Sequence, residues 1–174
     1  MADRGGNSPA WADTINGMPA IGAAAERSRR VTMDDVVAFS AMTGDHNPLH
    51  YDAALAAQTG FGGLIVQGGV TSGILNAIVA EDLPGPGTVF LGVEWKFIKA
   101  VPVGEEITGR VEVVKCREDK PICTLETSVR NSAGELCLSG TATTYTVPLR
   151  GLGGSAEKTA EPLPSSVDSP GIPG

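Results

Sequence analysis

The sequence predicts an α+β domain, and three observations support that prediction. Apolar residues in the first half recur at the spacing of helices, whereas those in the second half follow the two-residue period of strands. Hydrophobic residues make up 41% of the 174 residues, enough for one buried core. The Gly- and Pro-rich ends show no period, so residues 1–20 and 150–174 are predicted to be disordered tails of a domain at 21–149.

Helices are predicted in the first half of that domain. Thr32 and Asp35 have the spacing of a capping box at the start of one helix. Asp52 is placed to cap a short Ala-rich helix over 53–58. A further helix over 70–81 is apolar nearly all round, with few charged positions, which predicts that it is buried in the core.

The second half predicts an antiparallel sheet. Its segments are rich in β-branched residues, and turn residues at 119–121 and 132–134 separate the last of them. One more strand is predicted before the first helix. The predicted strands cover residues 22–31, 88–100, 106–116, 122–131 and 135–146. A sheet packed on a buried helix is an α+β architecture.

Charge, hydropathy and cysteine content indicate the setting of the protein. A net charge of −7 is atypical of proteins that bind duplex nucleic acid, and no apolar run is long enough to span a membrane. The first residues lack the basic-then-apolar pattern of a signal peptide, so the cytoplasm is the expected location. The three cysteines form no C-x-x-C pair and are expected to be reduced thiols there.

Polar groups able to do acid–base chemistry are concentrated in one short segment. Asp45, Asn47 and His50 lie between two predicted helices, and Pro48 disfavours a continuous helix through them. A carboxylate beside an imidazole can divide proton removal and donation, and an amide between them can orient a water molecule.

Two other interpretations of this segment stay open on the residues alone. The same side chains are compatible with an ordinary turn in which His50 makes one structural hydrogen bond. A metal site using His46 and His50 is disfavoured, because Pro48 interrupts the helix that their four-residue spacing requires.

A pair of glycines, Gly68 and Gly69, comes immediately before the predicted buried helix. The unpaired N–H groups and partial positive charge of a helix N-terminus suit a carbonyl oxygen that gains negative charge. The glycines can equally serve only to let a tightly packed helix begin.

Several motifs follow one another between residues 30 and 148. V-T-x-x-D-V-x-x-F precedes G-D-x-N-P-L-H-x-D, which is followed by F-G-x-x-I-V-x-G-G and L-P-G-P-G-T. In this order they resemble the MaoC-like (R)-specific enoyl-CoA hydratases and dehydratases. The resemblance implies a hot-dog fold, in which an antiparallel sheet wraps a long central helix, and a homodimer. It also implies reversible addition of water to a trans-2-enoyl-CoA, giving the (R)-3-hydroxyacyl-CoA, with no cofactor or metal.

The resemblance also implies roles for individual residues. Asp45 and His50 match the catalytic pair that holds and activates the water, and Asn47 matches the residue that helps to position it. Gly68 matches the glycine whose N–H polarises the thioester carbonyl. The chain departs from the family where Gln67 and Gly69 replace the His and Met of many His-Gly-Met relatives. Departures of this kind are expected to affect rate and acyl specificity.

A second departure concerns a hydroxyl group near the start of the helix. The hydroxyl residue common there is replaced by Gly73, with Ser72 adjacent but turned by roughly 100° on a helix.

Other functions compatible with the resemblance are kept as alternatives. One is a dehydratase acting on acyl chains bound to a carrier protein, which would need a basic patch to attract an acidic carrier. Another is a non-catalytic hot-dog subunit, which the intact Asp45, Asn47 and His50 set disfavours, and a third is a thioesterase. The candidate basic patch is Arg29, Arg30, Lys96 and Lys99.

Overall fold

The computed structural model describes residues 8–152, in which a five-stranded antiparallel sheet packs on one long helix. The helices are α1 (Met33–Thr43), α2 (Ala53–Ala56) and α3 (Gly68–Glu81). The strands are β1 (Ala24–Arg30), β2 (Thr88–Phe97), β3 (Glu106–Cys116), β4 (Ile122–Asn131) and β5 (Leu136–Thr146). Their order across the sheet is β1-β3-β4-β5-β2. The predicted α+β class is confirmed.

Helix α3 is buried against the sheet, as its composition predicts. At Gly109 on β3, an added Cβ would lie 2.7 Å from Ile74 Cγ2, so glycine lets the strand approach the helix closely. No helix within residues 8–152 is long and apolar enough to cross a membrane. The buried residues of α3 are Val70, Thr71, Ser72, Ile74, Leu75, Ile78 and Val79.

The central strands supply the other side of the core. Buried and partly exposed positions alternate along β3 and β4, as expected for a sheet with one face on a helix. Full burial of an aliphatic side chain of this size contributes roughly 1.5–3 kcal/mol. The fully buried side chains of β3, β4 and β5 include Ile107, Val111, Val113, Leu125, Val129 and Leu138.

Helix α1 begins at the predicted capping box. The Asp35 carboxylate accepts from the Thr32 N–H at 2.8 Å and forms an ion pair with Arg29. Burial alone would raise the pKa of Asp35, but the hydrogen bonds from Thr32 and Arg29 outweigh it and hold that pKa below its usual value. The cap therefore stabilises the fold at neutral pH and is lost as the pH falls through this lowered pKa.

The N-terminal segment corrects one prediction. Residues 8–20, assigned to a disordered tail, pack on the domain, and Trp11 is 1% exposed. Its indole Nε1 donates to the Arg117 carbonyl at 2.8 Å, and the Arg150 N–H donates to the Asp13 carbonyl at 2.8 Å. Composition missed this anchor because one indole buries as much area as several small residues. Residues 1–7 and 153–174 of the predicted tails lie outside the described residues.

The cysteines correct a second prediction. Cys116 and Cys123 are direct partners in the register of β3 and β4, and a disulfide joins them. The expectation of three reduced thiols is wrong for this pair, because the hairpin brings together two residues that no short cysteine motif connects. Cys137 is free and buried, and burial raises the pKa of its thiol.

Replacement of Trp11 tests whether the N-terminal segment is part of the folded domain. We expect Trp11→Ala to lower the free energy of unfolding by about 3–5 kcal/mol, because it removes a large buried side chain. Urea denaturation measures this loss. Ile15→Ala, at a side chain of the same segment that is 38% exposed, is the control and should cost far less. Equal, small losses in both variants would contradict the packing of this segment.

Thiol counting tests the disulfide. We expect one thiol per chain to react with Ellman's reagent in denaturant without reductant, namely Cys137, and three after reduction. Cys123→Ser should raise the unreduced count by one, since it releases Cys116. Three reactive thiols in the unreduced wild-type chain would restore the sequence-based expectation.

Candidate active site

The polar loop after α1 is shaped by hydrogen bonds from its own side chains. Helix α1 ends at Gly44, which has the left-handed φ of 78°. Asp45 Oδ1 then accepts from the Asn47 N–H at 3.1 Å, and Asn47 Oδ1 accepts from the Leu49 N–H at 3.1 Å. Asn47 thereby caps the 3-10 turn Pro48–His50 and acts on the turn that carries the imidazole.

His50 and Asp45 face each other across a short gap. The His50 ring is nearly buried, and its Nδ1 lies 2.7 Å from the Ile65 carbonyl oxygen. Since a carbonyl only accepts, Nδ1 carries the proton and Nε2 of the neutral ring presents a lone pair. Nε2 lies 3.7 Å from Asp45 Oδ2. This gap is too long for a direct hydrogen bond but lets one oxygen atom hydrogen-bond to both groups.

Gly68 is the first residue of α3, and Gln67 is its N-cap. The N–H groups of a first turn have no intrahelical acceptor and carry partial positive charge. An added Cβ at Gly68 would lie 3.1 Å from Phe97 Cε1, so glycine relieves crowding beside this amide. Gly68 and Gly69 were predicted to precede the helix, and in the structure they are its first two residues.

A pocket of about 390 Å³ brings two of the predicted residues together. Its wall includes His50 and Gly68 and is otherwise largely apolar, with Phe61, Phe97 and Ile98 among its members. Within residues 8–152, Asp45 and Asn47 are not part of the wall. Asp45 instead lies beside the pocket histidine, with its Oδ2 3.7 Å from His50 Nε2. The volume lies in the range typical of sites for small ligands.

Thr71 is a pocket residue that the sequence did not single out. It is 3% exposed and lies one turn after Gly68 on the same face of α3. Ser72, the hydroxyl residue noted from the sequence, donates to the Gly69 carbonyl at 3.3 Å and serves the helix backbone. The three-residue spacing from Gly68 is the signal that could have identified Thr71.

Comparison with known proteins agrees with this geometry. A family model described as a MaoC like domain matches residues 18–134. The chain belongs to this family. An (R)-specific enoyl-CoA hydratase from Aeromonas caviae is 41% identical over 122 residues, which are 70% of this chain and 91% of that protein. A mitochondrial 3-hydroxyacyl-[acyl-carrier-protein] dehydratase of Solanum lycopersicum is 33% identical over 125 residues, 71% of this chain and 74% of that protein.

Solved structures extend the MaoC-like assignment to the fold. R-hydratase PhaJ1 from Pseudomonas aeruginosa, in the unliganded form, matches with a TM-score of 0.73 and 31% identity, covering 86% of this chain and 94% of that one. The (R)-hydratase of A. caviae matches with a TM-score of 0.71 and 39% identity, covering 74% of this chain and 98% of that one. The hot-dog fold is therefore confirmed for this MaoC-like chain. Asp45, Asn47, His50 and Gly68 all lie inside the matched range.

Proposed function

We propose that this chain is an (R)-specific enoyl-CoA hydratase, which adds water reversibly across the trans-2 double bond of an enoyl-CoA to give the (R)-3-hydroxyacyl-CoA. The observation that carries the proposal is the 3.7 Å gap between His50 Nε2 and Asp45 Oδ2 at a pocket that also exposes Gly68. The names of the relatives from A. caviae and P. aeruginosa support it.

The acid–base step follows from the two facing groups. A water molecule hydrogen-bonded to both His50 Nε2 and Asp45 Oδ2 loses one proton to this pair as its oxygen bonds to C3 of the substrate. The pair then delivers one proton to C2. The water is consumed, the double bond becomes a single bond, and both residues return to their starting protonation.

The N-terminus of α3 is proposed to bind the thioester carbonyl, which is conjugated with the double bond of the substrate. Attack at C3 moves negative charge onto the thioester oxygen, which the Gly68 N–H is proposed to stabilise by a hydrogen bond. A donor of this kind contributes about 3–4 kcal/mol to transition-state stabilisation in enzymes where it has been measured. The apolar part of the wall, with Phe61, Val66 and Phe97, suits the hydrocarbon of an acyl chain.

The alternative substrate is an acyl chain on a carrier protein, as the name of the S. lycopersicum relative indicates for that protein. Three of the four residues of the basic patch that would attract an acidic carrier have partners within the chain. Arg29 pairs with Asp35, Lys99 pairs with Glu135, and Arg30 donates to the Gly104 carbonyl. The name of the A. caviae relative, an enoyl-CoA hydratase, favours CoA as the carrier of the acyl group. Turnover of crotonyl-CoA against crotonyl-carrier protein separates the two.

We also propose that the chain is a homodimer joined along β2. The two edge strands of the described sheet differ in chemistry. β1 carries Glu26 and several arginines, which protect an open edge from pairing. β2 instead exposes apolar side chains, with Leu91 58% and Val93 48% exposed. An exposed apolar edge strand is a template for pairing, and a two-fold axis lets two copies pair through the same strand.

The pocket supports the same assembly. Phe97 and Ile98 belong to its wall yet are 58% and 55% exposed. They lie at the end of the same edge strand, so a second copy paired along β2 would cover this side of the pocket. Exclusion of bulk water there would strengthen the hydrogen bonds to the substrate.

Substitution of the catalytic pair tests the reaction. We expect Asp45→Asn and His50→Gln each to lower kcat for crotonyl-CoA hydration by about 100-fold or more, because each removes a proton-transfer group. Loss of the enoyl absorbance measures the rate, and chiral analysis identifies the (R) product. Release of free thiol without hydration would indicate the thioesterase alternative.

The chain offers matched controls for both variants. His46→Gln changes the only other histidine, which is exposed, and Asp52→Asn keeps a cap for the Leu55 N–H of α2. Both controls should retain wild-type turnover. Near-normal turnover in Asp45→Asn and His50→Gln would show that the pair does not carry the reaction.

A charge on β2 tests the dimer. We expect Val93→Lys to shift the chain from dimer to monomer in analytical ultracentrifugation, because pairing would bury an ammonium group. Ala24→Lys places the same charge on the other edge strand and should leave the dimer intact. A monomeric wild type, or a Val93→Lys dimer, would contradict pairing through β2.

A further inference from the structure

A group of hydrogen bonds beside the pocket wall centres on Ser40 of α1. The Ser40 hydroxyl donates to the Asp45 carbonyl at 2.6 Å. It accepts from the Tyr51 hydroxyl at 2.5 Å and from Gln67 Nε2 at 3.0 Å. Ser40 is 1% and Gln67 2% exposed. We call Ser40, Tyr51, Gln67 and the Asp45 carbonyl the Ser40 cluster. It joins the loop of the acid–base pair to the N-cap of α3.

The orientation of the Gln67 amide is set by its partners. Nε2 also donates to the Val36 carbonyl at 3.3 Å, and a carbonyl only accepts, so the NH₂ group must face α1. Oε1 is left buried, with no hydrogen-bond partner among residues 8–152. An unpaired buried acceptor destabilises a fold, so stability alone would favour an apolar side chain here. The hydrogen bonds that Gln67 Nε2 makes to α1 therefore point to a functional reason for an amide at this position.

Helix α1 also packs on the first turn of α3 without free space. Val36, Phe39 and Ser40 share one face of α1, at helical spacings of three and four residues. An added Cβ at Gly69 would lie 2.2 Å from Phe39 Cζ, so the ring occupies the space that a side chain would need. This apolar contact and the Ser40 cluster hold the two helices in one relative position.

We propose that Ser40 and Gln67 are positioning residues, which hold the Asp45–His50 pair at its working distance from the Gly68 N–H. Ser40 binds the backbone of Asp45 and leaves its carboxylate available, while Gln67 directly precedes Gly68. Displacement of reacting groups by about 1 Å can cost 100-fold in rate. The inference rests on the proposed hydratase function, and it assigns a role to the position where many relatives carry histidine.

Two single variants and their double variant test the proposal with crotonyl-CoA. We expect Ser40→Ala and Gln67→Met each to lower kcat by about 10- to 100-fold, with KM changed by less than about 3-fold, because substrate binding at Gly68 persists while the water is misplaced. The double variant should lose less than the product of the two single losses, since both single variants remove the hydrogen bond between Gln67 Nε2 and Ser40.

Stability supplies the readout that separates positioning from folding. Gln67→Met removes the unpaired oxygen, the Val36 carbonyl keeps its place in the hydrogen bonds of α1, and the Ser40 hydroxyl keeps its bond to the Asp45 carbonyl. Its melting temperature should therefore equal or exceed that of the wild type while kcat falls. A purely structural role would leave kcat unchanged in a chain of unchanged stability. This variant tests the proposal even if Ser40→Ala does not fold.

The controls make comparable substitutions, of a buried hydroxyl residue and of a glutamine, outside the Ser40 cluster. Thr14→Ala removes a buried hydroxyl that donates to the Trp11 carbonyl at 2.7 Å, and Gln58→Met replaces an exposed amide. Both should keep wild-type kcat, although Thr14→Ala should melt earlier. Two outcomes in an active wild-type background would overturn the inference but not the proposed function. One is full kcat in Gln67→Met, and the other is a loss of kcat that merely follows the loss of melting temperature. A wild type without hydratase activity would overturn the proposed function and the inference with it.

Discussion

The buried position of α3 is the constraint on which the rest of the structure depends. A helix packed on a sheet begins at the edge of the core, and the N–H groups of its first turn have no intrahelical acceptors. In this chain that end opens on the pocket at Gly68. We propose that a substrate carbonyl supplies the missing acceptor there. The packing of Ile74 against Gly109 sets the distance between α3 and the sheet. The contacts that stabilise the fold therefore also position the Gly68 N–H.

The imidazole depends on a second backbone feature. Its acceptor, the Ile65 carbonyl, belongs to a segment that pairs with the chain after β2. The Val66 N–H donates to the Val101 carbonyl at 2.9 Å, and the Val103 N–H donates to the Leu64 carbonyl at 3.0 Å. This short ladder holds the carbonyl still, and with it the tautomer and ring plane of His50. A base whose orientation is set by backbone requires no further side chain to direct its lone pair toward Asp45.

Local chemistry was predictable from the sequence, and contacts between distant segments were not. The capping box at Thr32 and the all-round apolar pattern of α3 act within a few residues, so both were recognised correctly. The packing of Trp11 and the pairing of Cys116 with Cys123 depend on how the strands come together, which no local pattern encodes. The motif resemblance supplied the candidate site residues but not the pocket wall. Phe97 and Ile98 reach that wall from the end of β2, about thirty residues along the chain from Gly68.

The substitution at position 67 limits where proton transfer can occur. The chain has two histidines, and His46 is exposed on the loop, in tilted contact with the Tyr51 ring. A glutamine side chain neither gains nor loses a proton near neutral pH, so Gln67 binds its neighbours without exchanging protons with them. We therefore propose that Asp45 and His50, and not Gln67, carry the acid–base chemistry beside the pocket. The role proposed for the buried amide of Gln67 is therefore positional, so its contribution should appear in turnover more than in stability.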